Sequence, residues 1–557
     1  MRRAGRWIAI LVVVVLGLPL AAAAAPGATN PGREPLYDGL GSYRRKVTVR
    51  SAEARRYFDQ GMGFLFGFNL GAARRAFTEA ARLEPDFAMA HWGVAMACGP
   101  HINYPLVPRE AAEVAWKEVG LARAHAANAS PVERALIEAV ARRYADPPPE
   151  NRAPLDSAYA DAMRAAWKAH PKDPDVGVFF AEALMNLRPW DQWTPAGQPQ
   201  PGTEEVLATL DAVLELAPKH PFANHLYIHA VEASPHPERA LEAAKRLLKL
   251  QPGLAHNVHM PSHIDIRTGR WQDAIAANEA AVAADARYRA TFGEPRGFLP
   301  VYVAHNRHML AYAAMMTGQR ELALTHMRAM VAGLTPEFLE EFGFAGEAFL
   351  AMPDEVMVRF GMWDELIAQP DQPENRPFSH AFRKAARAIA HAALGDTTAA
   401  RREQAAFLEA AKRVPPDFYA AGNNLSVDVL GVVAPMVEGE ILVREGRVEE
   451  GIARLRDAVR REDLFRYDEP PGWLIPVRHT LGAALFNAGR YAEAEQVYRD
   501  DLARLPGDGW ALYGLAQSLA RQDKGGRERK DVEARFKKAW ARADTKLTSS
   551  CLCQPMR

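Results

Sequence analysis

Residues 478–506 read RHTLGAALFNAGRYAEAEQVYRDDLARLP, and the order of small, aromatic and breaker residues in this stretch decides the fold. Apolar residues recur at helical intervals on both sides of Gly489, so the segment is a pair of helices joined by a tight turn. Gly482 and Ala494 are small where two helices must approach closely. Tyr491 and Tyr498 fill the remaining gaps, and Pro506 ends the unit because proline cannot continue a helix.

The same signature recurs along the chain. It is present at Gly61/Ala73/Phe77/Ala80/Pro85, Ala240/Ala244/Pro252, Gly269/Trp271/Ala274 and Gly318/Ala323, and more weakly at Gly395/Ala400 and Gly446. No long stretch of the mature chain alternates at period two, so strands are not expected. With these matches the chain resembles the tetratricopeptide repeat (TPR) family over most of residues 51–525. The resemblance implies an all-α, right-handed solenoid of antiparallel helix pairs, in two stacks joined by a linker. The sequence is also similar to a group of exported bacterial TPR proteins that share NHxYIHxxE and HMPSHI segments, a likeness that brings no activity with it.

Breaks in the pattern set the expected organisation. Residues 26–50 are an extended lead-in, 51–366 an N-terminal solenoid, 367–378 (IAQPDQPENRPF) a linker, 379–540 a C-terminal solenoid and 541–557 a tail. Proline, glycine and aromatic residues make loops of 99–108, 188–202 and 466–473 (RYDEPPGW), while 285–302 adds an insertion to one repeat. Long loops on a solenoid often lie over a binding face.

A chain of 557 residues exceeds one ordinary core, in keeping with a repeat array. Lys+Arg and Asp+Glu are equal at 68 each, which argues against nucleic acid or an anionic membrane as the main partner. MRRAGR, the apolar run Trp7–Leu20 and the alanines 21–25 read as a signal peptide over residues 1–25. The expected location is therefore periplasmic or secreted, with no membrane span after cleavage; an uncleaved N-terminal anchor is the competing reading. Three cysteines are too few to hold an exported chain of this size together. Cys551 and Cys553 form a C-x-C whose ring would be strained if closed, and Cys98 reads as a buried thiol.

The functional lead is a set of histidines. His225 and His229 lie in NHLYIHAVE, and His259 and His263 lie 34 residues on in HNVHMPSHID. His305 and His308 in AHNRHMLAY follow after the insertion. An i,i+4 spacing puts both imidazoles of a pair on one helix face. Since 34 residues is one TPR unit, equivalent positions stack side by side. The family register places His225, His229 and Glu232, then His256, His259 and His263, then His305, His308 and Tyr312, on helices lining a concave groove; Glu182 falls one repeat earlier. His225, His229, His259 and His263, with Glu182 or Glu232, form a candidate site for one or two ions of zinc, iron, manganese or copper. Pro261, Ser262 and Asp265 break the apolar register of their helix. Ser262 and Asp265 read as partners orienting the imidazoles, and Pro261 as either a kink or the first residue of a shortened helix. His479 reads as an ordinary groove residue, His101 as a turn histidine without a spaced partner, and Trp190 and Trp193 as residues that cover the groove or simply pin their loop.

Nothing in the sequence calls for an organic cofactor: there is no P-loop, Rossmann glycine pattern, H-E-x-x-H, G-x-S-x-G or C-x-x-C-H. Three functions stay open. One is a binding module with a His/carboxylate metal site in its groove. The second is a metal-dependent hydrolase or oxidoreductase, with Glu182 or Glu232 as ligand or general base. The third is a metal-free scaffold that binds a protein or peptide ligand in the groove or serves envelope assembly.

Overall fold

The computed structural model describes residues 33–419, 422–523 and 526–556. The expected signal peptide lies outside these residues. Helices make up about two thirds of the chain, and the described residues hold two isolated β-bridges and no strand. Among the described residues no helix is long and apolar enough to cross a membrane.

Neighbouring helices pack as antiparallel pairs. Ala52–Leu65 lies on Leu70–Leu83, Pro377–Leu394 on Thr397–Ala411, Ser426–Arg444 on Val448–Glu462, and Val477–Asn487 on Tyr491–Arg504. The glycines explain why these pairs close. A Cβ at Gly61 would stand 2.6 Å from the Phe77 ring, and one at Gly93 would stand 2.4 Å from it. Phe77, on the second helix of its pair, is thus clasped between its partner helix and the next one along. Tyr498 repeats the arrangement between Gly482 and Gly514, at 2.4 and 2.2 Å. Small residues in the repeat signature are thus sockets for one aromatic ring. At the turn, Gly489 has φ +74°, a conformation that favours glycine.

The buried apolar side chains form two cores. The first runs from Leu40 to Tyr302 and the second from Ile266 to Cys553, so both draw on the helices Trp271–Phe292 and Leu299–Met316. The C-terminal repeats fold back on this shared region. Trp271 donates its indole N–H to Pro506 O at 3.0 Å, and Trp510 donates to Met315 O at 3.1 Å. Residues 369–376 connect Trp363–Ala368 to Pro377–Leu394. The insertion is absorbed mainly by lengthening: Trp271–Phe292 runs for 22 residues before a short non-helical passage.

The extended segment 33–50 is tied down by charge. Arg45 reaches Asp175 at 2.8 Å and Asp173 at 2.9 Å, and Asp175 also faces His220 at 3.2 Å. At the other end Leu547, Ser549, Ser550 and Gln554 of the tail are buried, as are Cys551 and Cys553, which are joined as a disulfide. His479 differs from its sequence reading. It is buried between Asp501 (3.1 Å) and Asp508 (2.7 Å), with Arg359 donating to its Nδ1, and so is part of the C-terminal core.

Candidate metal centre

The helix Pro221–Val231 carries His225 and His229, with Glu232 capping its C-terminus. The HMPSHID segment resolves in favour of the shortened-helix reading. One helical turn, Ala255–His259, ends at Met260, and Pro261 is the first residue of Pro261–Arg267, where its missing N–H costs nothing. Met260 keeps right-handed helical angles, and the i,i+4 pair His259 and His263 stays together with ring centres 4.7 Å apart. Leu299–Met316 contributes His305 and His308.

These helices bring six imidazoles together in two groups of three. His225, His229 and His256 form one; His259, His263 and His305 form the other. Within each group the ligand-capable atoms lie within 4.8 Å of one another. The groups adjoin, with His256 and His259 ring centres 5.9 Å apart and those of His229 and His263 6.1 Å apart.

The outward nitrogens are held in a definite way. His225 Nδ1 lies 2.8 Å from Phe66 O, and His259 Nδ1 lies 2.7 Å from Asn278 Oδ1. Asn278 donates its own amide N–H to Ala274 O at 2.9 Å, which fixes Oδ1 as the atom facing the ring. Glu232 serves two imidazoles, with Oε1 2.7 Å from His229 Nδ1 and Oε2 2.5 Å from His263 Nδ1. The Nδ1 atoms of His225, His229 and His259 each donate to an oxygen, so these three carry the proton on Nδ1 and keep a lone pair on Nε2; His263 Nδ1 meets Glu232 as an ion-pair contact without a hydrogen bond. The lone pairs point inward. His259 Nε2 and His263 Nε2 are 2.7 Å apart, and His225 Nε2 is 3.2 Å from His256 Nε2. His229 Nε2 and His256 Nδ1 are buried without a hydrogen-bond partner. Two lone pairs at 2.7 Å repel unless a proton or a cation lies between them.

Electrostatics follow burial first. Burial holds His225, His256, His259 and His305 well below the ordinary histidine range, and neighbouring imidazoles push the same way. His229 is lowered by burial and partly restored by Glu232. At His263, Glu232 and then Glu469 outweigh burial and raise it. Burial alone would raise Glu232, yet His263 and His229 hold it at about 2. Five of the six imidazoles are therefore held neutral, while His263 is tied to the anchoring carboxylate of Glu232.

The expected open groove is not what the chain builds. His225, Glu232 and His259 are fully buried. Three loops from distant parts of the sequence cover them. Phe68 lays its ring against His225 (4.6 Å) and His256 (5.8 Å), and Trp190 stands edge-on to His229 at 5.3 Å. Both hold positive φ, +54° and +56°, strained for residues with a side chain. Only one other described non-glycine residue, Asp523, does so. Trp190 thus covers the cluster, whereas Trp193 donates to Ala230 O and anchors the loop. From the C-terminal half, 466–473 brings Glu469 Oε2 to 3.5 Å from His263 Nδ1, and Tyr467 donates to Glu469. Burial pushes Glu469 up to about 8. Arg466 then pairs with Asp191, joining this loop to 188–202.

A cavity of about 410 Å³ opens onto the cluster. His229, His256, His263, His305 and His308 face it, beside Phe298, Tyr302, Phe349 and Met352, with Asn423, Arg466 and Glu469 on the polar side.

Other expected residues fall elsewhere. Glu182 is turned to Arg143 (2.9 Å) and Asn186, outside both histidine groups, so it serves as a buried ion-pair partner. Asp265 pairs with Arg270 at 2.8 Å instead of orienting an imidazole, and Asn278 and Glu232 take that role. Ser262 Oγ is buried with no partner. His308 packs on Phe349 and is lowered to about 3 by burial; Tyr312 packs on Trp271. His101 reaches the periphery after all, stacked on Phe68 at 4.4 Å. Glu469, Tyr467, Asn278 and the Phe66 carbonyl were not legible as site residues, because no repeat spacing relates them to the histidines.

No protein-family model matches the chain, and no curated protein matches it. Solved structures similar to it include Cut9 in the APC/C Cut9–Hcn1 hetero-tetramer, at 11% identity and TM-score 0.29, covering 88% of this chain and 74% of that one. The TPR domain of P58(IPK) matches at 12% identity and TM-score 0.22, over 86% and 100%. The human IFIT1 dimer with m7Gppp-AAAA matches at 10% identity and TM-score 0.34, over 89% and 92%. At such scores none bears on the site, and the helix-pair architecture rests on the packing described above.

Proposed function

We propose that this chain is a helical-repeat metalloprotein that binds transition-metal ions in the buried histidine cluster and admits a small ligand through the adjoining cavity. One observation carries the reading. Three imidazoles, His225, His229 and His259, donate Nδ1–H to fixed oxygens and turn their Nε2 lone pairs to a common interior, where His259 Nε2 meets His263 Nε2 at 2.7 Å. Oxygen acceptors behind each imidazole are the arrangement that orients metal-binding histidines and sets their tautomer. A single proton on His263 also satisfies that pair, but leaves His229 Nε2 and His256 Nδ1 buried without a partner.

Helix-pair repeats suggest protein interaction as a further role for the outer surface. The histidine face does not serve it, since loops bury that face. We also propose that residues 1–25 direct export, which cell fractionation of the full chain would test. The test of the metal reading is elemental analysis of untagged protein beside a His229→Ala/His263→Ala variant. The expected result is metal in the parent, lost in the variant, with a melting temperature that falls on chelation. Failure of the parent to retain zinc, copper, iron or manganese after supplementation overturns the reading.

A further inference from the structure

Within the metalloprotein reading, the donor set and the spacing of the two groups say more than that a metal binds. Both groups offer imidazole nitrogen alone. The nearest carboxylate, Glu232, uses its two oxygens on the outer nitrogens of His229 and His263, and Glu469 approaches His263 from the same outer side. A set without inward carboxylate or thiolate is poor for manganese and for iron in its oxygen-rich sites. Three neutral imidazoles suit copper and zinc, and copper stands highest in the general affinity order.

The spacing adds the second point. Ring centres across the two groups, 5.9 Å for His256–His259 and 6.1 Å for His229–His263, are about as far apart as those of His229 and His256 within one group, at 6.0 Å. Ions held by the two groups would lie side by side, at the separation typical of two-metal sites, about 3.5–4 Å, or little beyond it. The cavity meets both: His229 and His256 of the first group and His263 and His305 of the second face the same space. His225 and His259 do not line it, so they would complete each ion's shell from behind. A small ligand entering the cavity reaches both ions at once.

We propose that the two histidine groups hold a pair of copper ions, three imidazoles to each, and that the cavity admits a small bridging anion or diatomic molecule between them. His225, His229 and His256 bind one ion; His259, His263 and His305 bind the other. Phe68 and Trp190 close the first ion off from solvent, and the 466–473 loop closes off the second.

The test uses the full mature chain, stripped with chelator and titrated with copper(II), with azide as the probe ligand. Two coppers per chain are expected. Exchange through a bridge should remove most of the paramagnetic resonance signal that two isolated ions would give, and azide should add a charge-transfer band at one azide per pair. His225→Ala and His305→Ala each dismantle one group while leaving Glu232 and its partners in place. Each variant should bind one copper and regain the full resonance signal of that ion, with an unchanged far-ultraviolet circular dichroism spectrum. Should either variant misfold, the parent titration alone still decides. Two coppers that both give full, uncoupled signals, a single copper in the parent, or tighter retention of two zinc ions than of two copper ions would each overturn the pairing while leaving a metalloprotein. Retention of no metal at all would remove the underlying reading as well.

Discussion

Replacing Glu232 by glutamine tests the centre at the point where its geometry is set. The carboxylate accepts from His229 at 2.7 Å and faces His263 at 2.5 Å, so both imidazoles keep their protons outward. An amide has one acceptor and one donor. In E232Q one ring must present a bare Nδ1 to the amide N–H, which moves its proton to Nε2 and removes that nitrogen as a ligand. Loss of an orienting partner of this kind typically lowers metal affinity about 10- to 100-fold, or about 1.4–2.7 kcal/mol. The apo protein should suffer too. Holding the carboxyl at about 2 against its ordinary 4.5 corresponds to about 3 kcal/mol at 1.36 kcal/mol per unit. Because the folded-state value is depressed, this stabilisation is present above about pH 4.5 and is lost as pH falls towards 2. The assays are competition against a chromophoric chelator for affinity, and urea unfolding of parent and E232Q from pH 7 down to 3 for stability. A variant with affinity within about twofold of the parent, or a stability gap that does not narrow on acidification, would refute the orienting role.

Three further outcomes are expected. Asn278→Leu leaves the His259 Nδ1–H buried without its acceptor, so apo stability should fall by about 1–3 kcal/mol, with a loss of metal affinity measured by the same competition. Asp175→Asn should cost about 2.5 kcal/mol at neutral pH, because Arg45 and His220 outweigh burial and hold this carboxyl at about 2 against 3.8. That deficit should shrink as pH falls below about 3.8, read by urea unfolding, while metal content stays unchanged. Gly93→Ala would put a methyl group 2.4 Å from the Phe77 ring, and overpacking of this kind costs about 1–3 kcal/mol, measurable as a lower urea midpoint with an unaltered slope.

The repeat signatures were legible because they record a local rule: a glycine socket and an aromatic ring recur at fixed spacing, as at Gly482, Tyr498 and Gly514. The histidine columns were legible for the same reason, since the repeat period brings His225, His259 and their i+4 partners onto adjacent helices. What the spacing could not show was closure. An open solenoid would leave these histidines lining a groove, but the C-terminal repeats fold back through Trp271 and Trp510 and carry 466–473 onto the site. Glu469 comes from a loop with no period, more than 200 residues from His263. Asp265 misled because its break in the apolar pattern was real, but Arg270, five residues on, accounts for it.

The distances along the chain between the parts of the centre also impose an order of events. Phe66, His225, His263, His305 and Glu469 enter the growing chain at widely separated times, and all six imidazoles exist before the 466–473 loop has been made. An unfinished chain, or one truncated before residue 466, therefore carries the nitrogen donors under Phe68 and Trp190 but without the cover that Glu469 gives His263. Only the completed chain closes the chamber. On the metalloprotein reading proposed above, loading with the correct ion would be linked to completion of the 466–473 loop, and a nick or deletion near residue 470 would reach the centre as directly as the loss of a ligand.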